Sequence, residues 1–150
     1  MSKGIKFDKL DGLSLRIGIV ASRWNRHITD ALLTRCREAL LETGVAESNI
    51  LVYQVPGAFE IPFVASRFIR EKNVDAIICL GSLIKGESMH FEYIADSVTK
   101  AIMRLNTDND IPIIYGVLTC LTEQQAIDRS SGPKNSGYEW GLTAVEMALL

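Results

Sequence analysis

AIICLGSLIKGESMHFEYIADSVTKAIMRL, residues 76–105, decides the fold. It opens on a short apolar run, 76–80, with no polar alternation, the pattern of a strand covered on both faces. A polar stretch with two glycines follows, residues 81–90. Then Phe91, Ile94, Val98, Ala101, Ile102 and Leu105 recur at i, i+3, i+4 spacing, so a helix is expected from near Ser88 onward. One strand feeding one helix through a glycine-bearing turn is half of a βαβ unit.

The same alternation extends in both directions. Runs at 15–20, 50–55 and 111–118 are equally apolar and rich in Ile and Val. Ile28, Ala31, Leu32, Cys36, Ala39 and Leu40 mark a helix that stops near Gly44. Phe59, Phe63, Phe68 and Ile69 mark another, opened by Pro56 and Gly57, in which Pro62 must sit in the first turn or kink the helix. Trp140, Ala144, Val145, Ala148 and Leu149 mark the last. Strands alternating with helices imply right-handed crossovers and a three-layer α/β/α sandwich. Its centre is a four-stranded parallel sheet, a layout like that of flavodoxin. A length of 150 residues suits one domain, 1–150, with a core of its own. Residues 1–12 fit no core pattern and are expected to be flexible or docked on a neighbouring subunit.

Composition narrows the function. A net charge of −2 offers no basic face for nucleic acid. No apolar run approaches the length of a membrane span, and MSKGIKFDKLDG lacks the apolar core of a signal peptide. Three cysteines, Cys36, Cys79 and Cys120, are odd in number and widely spaced, which argues against a disulfide framework and a zinc site. Two histidines are too few for a His-rich metal centre. The expectation is a soluble, cytoplasmic α/β domain without a zinc site or a His-rich metal centre.

In parallel sheets ligands bind beyond the carboxyl ends of the strands. The segments placed there are SRWN (22–25), PGAFE (56–60), GSLIKGESMH (81–90) and TCLTEQQ (119–125). In the third, a helix start offers free N–H groups and a positive dipole end to an anion such as phosphate, with Ser88 as cap or extra hydroxyl. Taken alone, the segment reads more readily as an ordinary capped βα turn, and neither the P-loop nor the dinucleotide pattern is present. His90, expected one turn into that helix, is a proton carrier near neutral pH or a packing residue. His27 reads as a surface residue without a role. Trp24 can stack on a flat heterocycle beside the amide of Asn25, or fill a core or interface. Glu60 either caps its helical turn or accepts hydrogen bonds from sugar-like hydroxyls. Arg129 suits bidentate phosphate binding or is a solvated helix-end cation, followed by a flexible SSGPKNSG stretch. Glu139 is a candidate ion-pair partner for it.

Each of these signals is weak alone, but their order is specific. SRWN, VPGAFEIP, GSLIKGESMHFEYI, PIIYGVLT, EQQAIDR and NSGYEWGLTAVEM resemble the successive signature segments of the lumazine synthase family, from about residue 15 to the C-terminus. The resemblance implies condensation of 5-amino-6-(ribitylamino)uracil with 3,4-dihydroxy-2-butanone 4-phosphate, without metal or organic cofactor, by holding two substrates in register. It implies that Trp24 stacks on the pyrimidine and that Asn25, Ala58, Phe59 and Glu60 surround the ribityl chain. The backbone of Ser82, Leu83 and Ile84 would read the ring edge. Gly86, Glu87 and Ser88 would cradle the phosphate, with Arg129 as counter-cation. His90 would carry protons, and Tyr115 would reach the ring from a neighbouring subunit. It further implies a homopentamer, in some members a larger closed shell, with sites between subunits.

Two departures stand out. Trp24 occupies a position where most members carry phenylalanine, and its larger π-face implies binding of riboflavin or the lumazine product. The family's frequent basic residue near the asparagine-glycine region falls on Ser136, with Lys134 as the nearby cation in a short loop. A non-catalytic flavin or lumazine binder would have no need of both His90 and Arg129. A generic FMN-binding domain of this layout would need a phosphate loop after the first strand, where Arg23 and Trp24 stand instead.

Overall fold

The computed structural model describes residues 4–150. In chain order the elements are β1 (Ile17–Ser22), α1 (Arg26–Glu42), β2 (Ile50–Val55), α2 (Ile61–Glu71), β3 (Ala76–Ile84), α3 (His90–Asp108), β4 (Ile113–Cys120), α4 (Glu123–Arg129) and α5 (Gly137–Ala148). The four strands form one parallel sheet in the order β2-β1-β3-β4.

The period of two along each strand divides the apolar residues between two layers. Ile17, Ile19 and Ala21 face α1, α4 and α5, where they meet Leu32, Leu40, Ala126 and Val145. Val20, Ile77 and Cys79 face α2 and α3, meeting Phe68, Val98 and Ile102. The result is the expected α/β/α sandwich. Gly18 lies on the α2 side, where a Cβ would stand 3.0 Å from the Phe68 ring. Helices α1 and α5 touch backbone to backbone. A Cβ on Gly137 would lie 2.2 Å from the Leu32 carbonyl oxygen, and one on Gly141 2.8 Å from that of Cys36.

Several boundaries differ from those read in the sequence. β1 is shifted two residues toward the C-terminus, to Ile17–Ser22, and β4 runs Ile113–Cys120. β3 continues through Ile84, because residues 81–84 pair in register with 117–120 of β4. The start of the apparent polar loop, residues 81–84, is therefore strand, and α3 starts at His90 rather than near Ser88. Phe59 and Phe63 do not face the core; both are exposed, and α2 buries Ile61, Ala65 and Phe68. Pro62 sits in the first turn of α2, as its missing N–H requires.

The SSGPKNSG stretch is not free. Asn135 is buried, its Nδ2 donates to the carbonyls of Ala31 and Ser130, and its Oδ1 accepts from the Gly137 N–H. α4 adds a short helix to the four expected. Residues 4–12 carry no regular secondary structure, and the Gly12 N–H donates to the Thr43 carbonyl at 2.7 Å. The first part of the expected flexible stretch, residues 1–3, lies outside the described residues. Among the described residues no helix is long and apolar enough to cross a membrane.

Candidate active site

The segments after all four strands converge on a cleft of about 730 Å³ at the carboxyl end of the sheet. Trp24 and Asn25 enter it from the end of β1. The Arg23 and Trp24 N–H groups donate to the Val55 and Pro56 carbonyls, which fastens this turn to the end of β2. Asn25 adopts the left-handed conformation, φ 61°, tolerated by asparagine better than by most residues. Its carbonyl accepts the first N–H groups of α1, from Ile28 and Thr29. Its Nδ2 donates to the Ser82 carbonyl at 2.9 Å. Trp24 is left 73% exposed, so its indole belongs to the cleft wall and not to the core.

Ala58, Phe59 and Glu60 line the cleft from a 3₁₀ turn between β2 and α2. Glu60 both caps the turn and faces the cleft: Oε1 accepts from the Gly57 N–H at 3.0 Å. Ser82, Leu83 and Ile84 form the floor. β1 pairs with β3 only as far as Leu80, whereas β4 pairs through Ile84. One backbone edge of 82–84 therefore has no strand partner, and Asn25 uses one of its carbonyls.

His90 lines the cleft as the first residue of α3, not one turn in, because β3 uses up the intervening residues. Its N–H donates to Ser88 Oγ at 3.4 Å. The N-cap of α3 is Met89, so Ser88 acts from one position earlier than a cap. Gly86, Glu87 and Ser88 are exposed on the link into His90 and do not line the cleft themselves.

Arg129 also lies outside the lining. It ends α4, and its Nη1 donates to the Gln125 carbonyl at 3.0 Å. Burial pushes the Cys120 thiol pKa up, and the Arg129 charge pulls it partly back. The expected pair with Glu139 does not form: among the described residues Arg129 meets no carboxylate, since its side chain turns back along its own helix. Lys134 and Ser136 do not line the cleft, and Ser136 serves as the N-cap of α5. Tyr115 is in β4 with its hydroxyl 2.7 Å from Thr99 Oγ1, off the cleft of its own chain.

Glu123, on the first turn of α4, lines the cleft and was not singled out by the sequence. Only its place in the segment after β4 hinted at it. Its Oε1 lies 3.0 Å from Nε2 of His27, the histidine that read as a bystander. Among the described residues no group of three or more His, Cys, Asp or Glu side chains is arranged for a metal ion. The three cysteines are free and buried.

Known proteins resemble this chain along nearly its whole length. The profile of the 6,7-dimethyl-8-ribityllumazine synthase family matches residues 14–150. A 6,7-dimethyl-8-ribityllumazine synthase of Pyricularia oryzae is 40% identical over a 187-residue alignment covering 99% of this chain and 94% of the relative. One from Flavobacterium psychrophilum is 45% identical over 138 residues, 91% of this chain and 73% of the relative. With matches that run from the first strand to the last helix and take in every segment of the cleft, the chain belongs to the 6,7-dimethyl-8-ribityllumazine synthase family.

Proposed function

We propose that the cleft condenses 5-amino-6-(ribitylamino)uracil with 3,4-dihydroxy-2-butanone 4-phosphate to 6,7-dimethyl-8-ribityllumazine, a step of riboflavin biosynthesis. The observation that carries this reading is the meeting of Trp24, Glu60 and His90 in one cleft of a chain of this family. The indole of Trp24 stacks on the pyrimidine, and the unpartnered backbone edge at Ser82, Leu83 and Ile84 reads the ring's amide groups. Asn25, Ala58, Phe59 and Glu60 take the ribityl chain. Gly86, Glu87 and Ser88 hold the phosphate at the mouth, with Arg129 as its counter-charge.

The 5-amino group adds to the ketone and water leaves to give an imine. Phosphate is then eliminated, the resulting enol becomes a carbonyl, and the ribitylamino nitrogen closes the ring with loss of a second water. His90, at the start of α3, moves the protons these steps require, while the cleft holds the two reactants in register. No residue in this scheme needs a metal or an organic cofactor.

Residues 1–150 act as one domain in a homopentamer, which in turn is a candidate to build a larger shell. Tyr115, off its own cleft, covers the ring bound by a neighbour. Exposed Phe63, Tyr93 and Met103 support such subunit contacts. Three free cysteines suit a reducing, cytoplasmic location. The wide face of Trp24 also binds riboflavin or the lumazine product.

Mixing the purified protein with both substrates and following lumazine absorbance tests the reaction. Turnover is the expected result, and ligand binding without turnover would leave only a flavin or lumazine binder. Sedimentation reads the assembly. Riboflavin titrated at micromolar concentration should quench Trp24 emission, and unchanged emission would remove the flavin.

A further inference from the structure

Glu123 faces the cleft although its helix follows β4, the strand farthest in the sheet from the Glu60 segment after β2. The two carboxylates stand on opposite faces of the sheet end. Ala58, two residues before Glu60, packs into the α2–α3 layer, whereas Ala126, one turn after Glu123, packs into the α1–α5 layer. Among the described residues the only other titratable group on the cleft lining is His90; neither Lys nor Arg is present there. A cleft with a carboxylate on each side and no fixed cation accepts hydrogen bonds from neutral donors and disfavours anions in its interior.

His27 sets where the second carboxylate stands. With a proton on Nε2 it donates to Glu123 Oε1 at 3.0 Å, across 96 positions of sequence. Both side chains are more than half exposed, so pairing itself adds little to stability. Its consequence is geometric. One carboxylate oxygen is anchored at the start of α1, and Oε2 has no partner among the described residues. Glu123 is exposed, on the side of the cleft opposite Glu60, whereas the backbone edge at Ser82 is buried.

We propose that Glu123 is a specificity-determining residue for the polyol-bearing substrate, accepting a hydrogen bond from its hydroxyls, and that His27 is a positioning residue acting through it. This rests on the reaction proposed above. The test is steady-state kinetics on the full chain with Glu123→Ala, Glu123→Gln, His27→Ala and the double variant, each substrate varied in turn. Glu123→Ala should raise KM for the ribitylaminouracil about 10-fold to 100-fold, the scale of one charge-assisted hydrogen bond. Its kcat and its KM for the butanone phosphate should stay within about twofold of the parent, and Glu123→Gln should recover part of the loss. His27→Ala should give a smaller rise, and the double variant should be no worse than Glu123→Ala, because both act through one group. An unchanged KM for the ribitylaminouracil, or equal rises for both substrates, would overturn the proposal. If the parent protein turns nothing over, the reaction itself is wrong. Quenching of Trp24 by the ribitylaminouracil then decides on Glu123, and an equal Kd in parent and Glu123→Ala overturns its role.

Discussion

The side-chain amide of Asn25 donates to the main-chain carbonyl of Ser82 at 2.9 Å, and this bond ties the turn that carries Trp24 to the strand that floors the cleft. Asn25 meets two demands at once, a left-handed backbone and an amide donor.

The two demands separate by substitution. Asn25→Gly keeps the backbone and loses the amide, at about 1 kcal/mol. Asn25→Ala adds about 1–2 kcal/mol for forcing a Cβ into the left-handed region. Urea midpoints should therefore fall in the order parent, glycine, alanine; equal midpoints for the two variants would show that the backbone conformation is not the constraint.

His90→Ala should lower kcat by about 10²–10⁴, the scale of general acid–base catalysis, with little change in substrate affinity. Stopped-flow measurement of lumazine formation reads this directly. Undiminished turnover would remove the imidazole from the proton transfers.

Arg129→Ala should raise KM for the phosphorylated substrate about 10-fold to 100-fold and leave KM for the ribitylaminouracil unchanged, since a charged hydrogen bond is lost on one side only. Helix α4 should persist, because Thr122 caps it and Ala126 anchors it in the core. Comparing KM for the two substrates tests the assignment.

Gly141→Ala places a methyl group 2.8 Å from the Cys36 carbonyl oxygen, where the α1 backbone cannot yield without moving the helix. Overpacking of this kind costs about 1–3 kcal/mol. At this chain length each kcal/mol lowers the melting temperature by about 2–4 °C. Gly137→Ala, at 2.2 Å from the Leu32 carbonyl oxygen, should be worse. Thermal melts of the two variants would read the effect, and a parent-like Tm for Gly137→Ala would contradict the close α1–α5 contact.

Burial pushes the Cys36 and Cys79 thiols up from 9.0 to about 12, with Arg37 opposing the shift slightly at Cys36. Well below pH 9 both thiols are protonated in folded and unfolded chains alike, and their burial adds no pH dependence. Between about 9 and about 12 the unfolded chain releases protons that the folded one retains. Stability should then fall as pH rises, by up to about 1.4 kcal/mol per pH unit for each thiol. Urea unfolding at pH 8 and pH 10.5 measures the slope, and Cys79→Ala should flatten it.

The layer architecture and the neighbourhood of the cleft follow from the order of residues along the chain. Uninterrupted Ile and Val runs report burial on both faces, helical spacing reports one buried side, and the carboxyl ends of parallel strands gather the segments between them. That rule made Trp24, Glu60 and His90 candidates, and only the order of the signature segments singled them out. Tertiary structure alone decided where β3 ends, since residues 81–84 become strand only by pairing with 117–120. It alone turned Phe59 and Phe63 outward, bound Asn135 to Ala31, let Gly137 and Gly141 admit α1, and brought Glu123 to His27. Periodicity is a property of neighbouring residues and reveals which face is apolar. Which partner that face meets, and in what register, depends on how distant segments cross and pack.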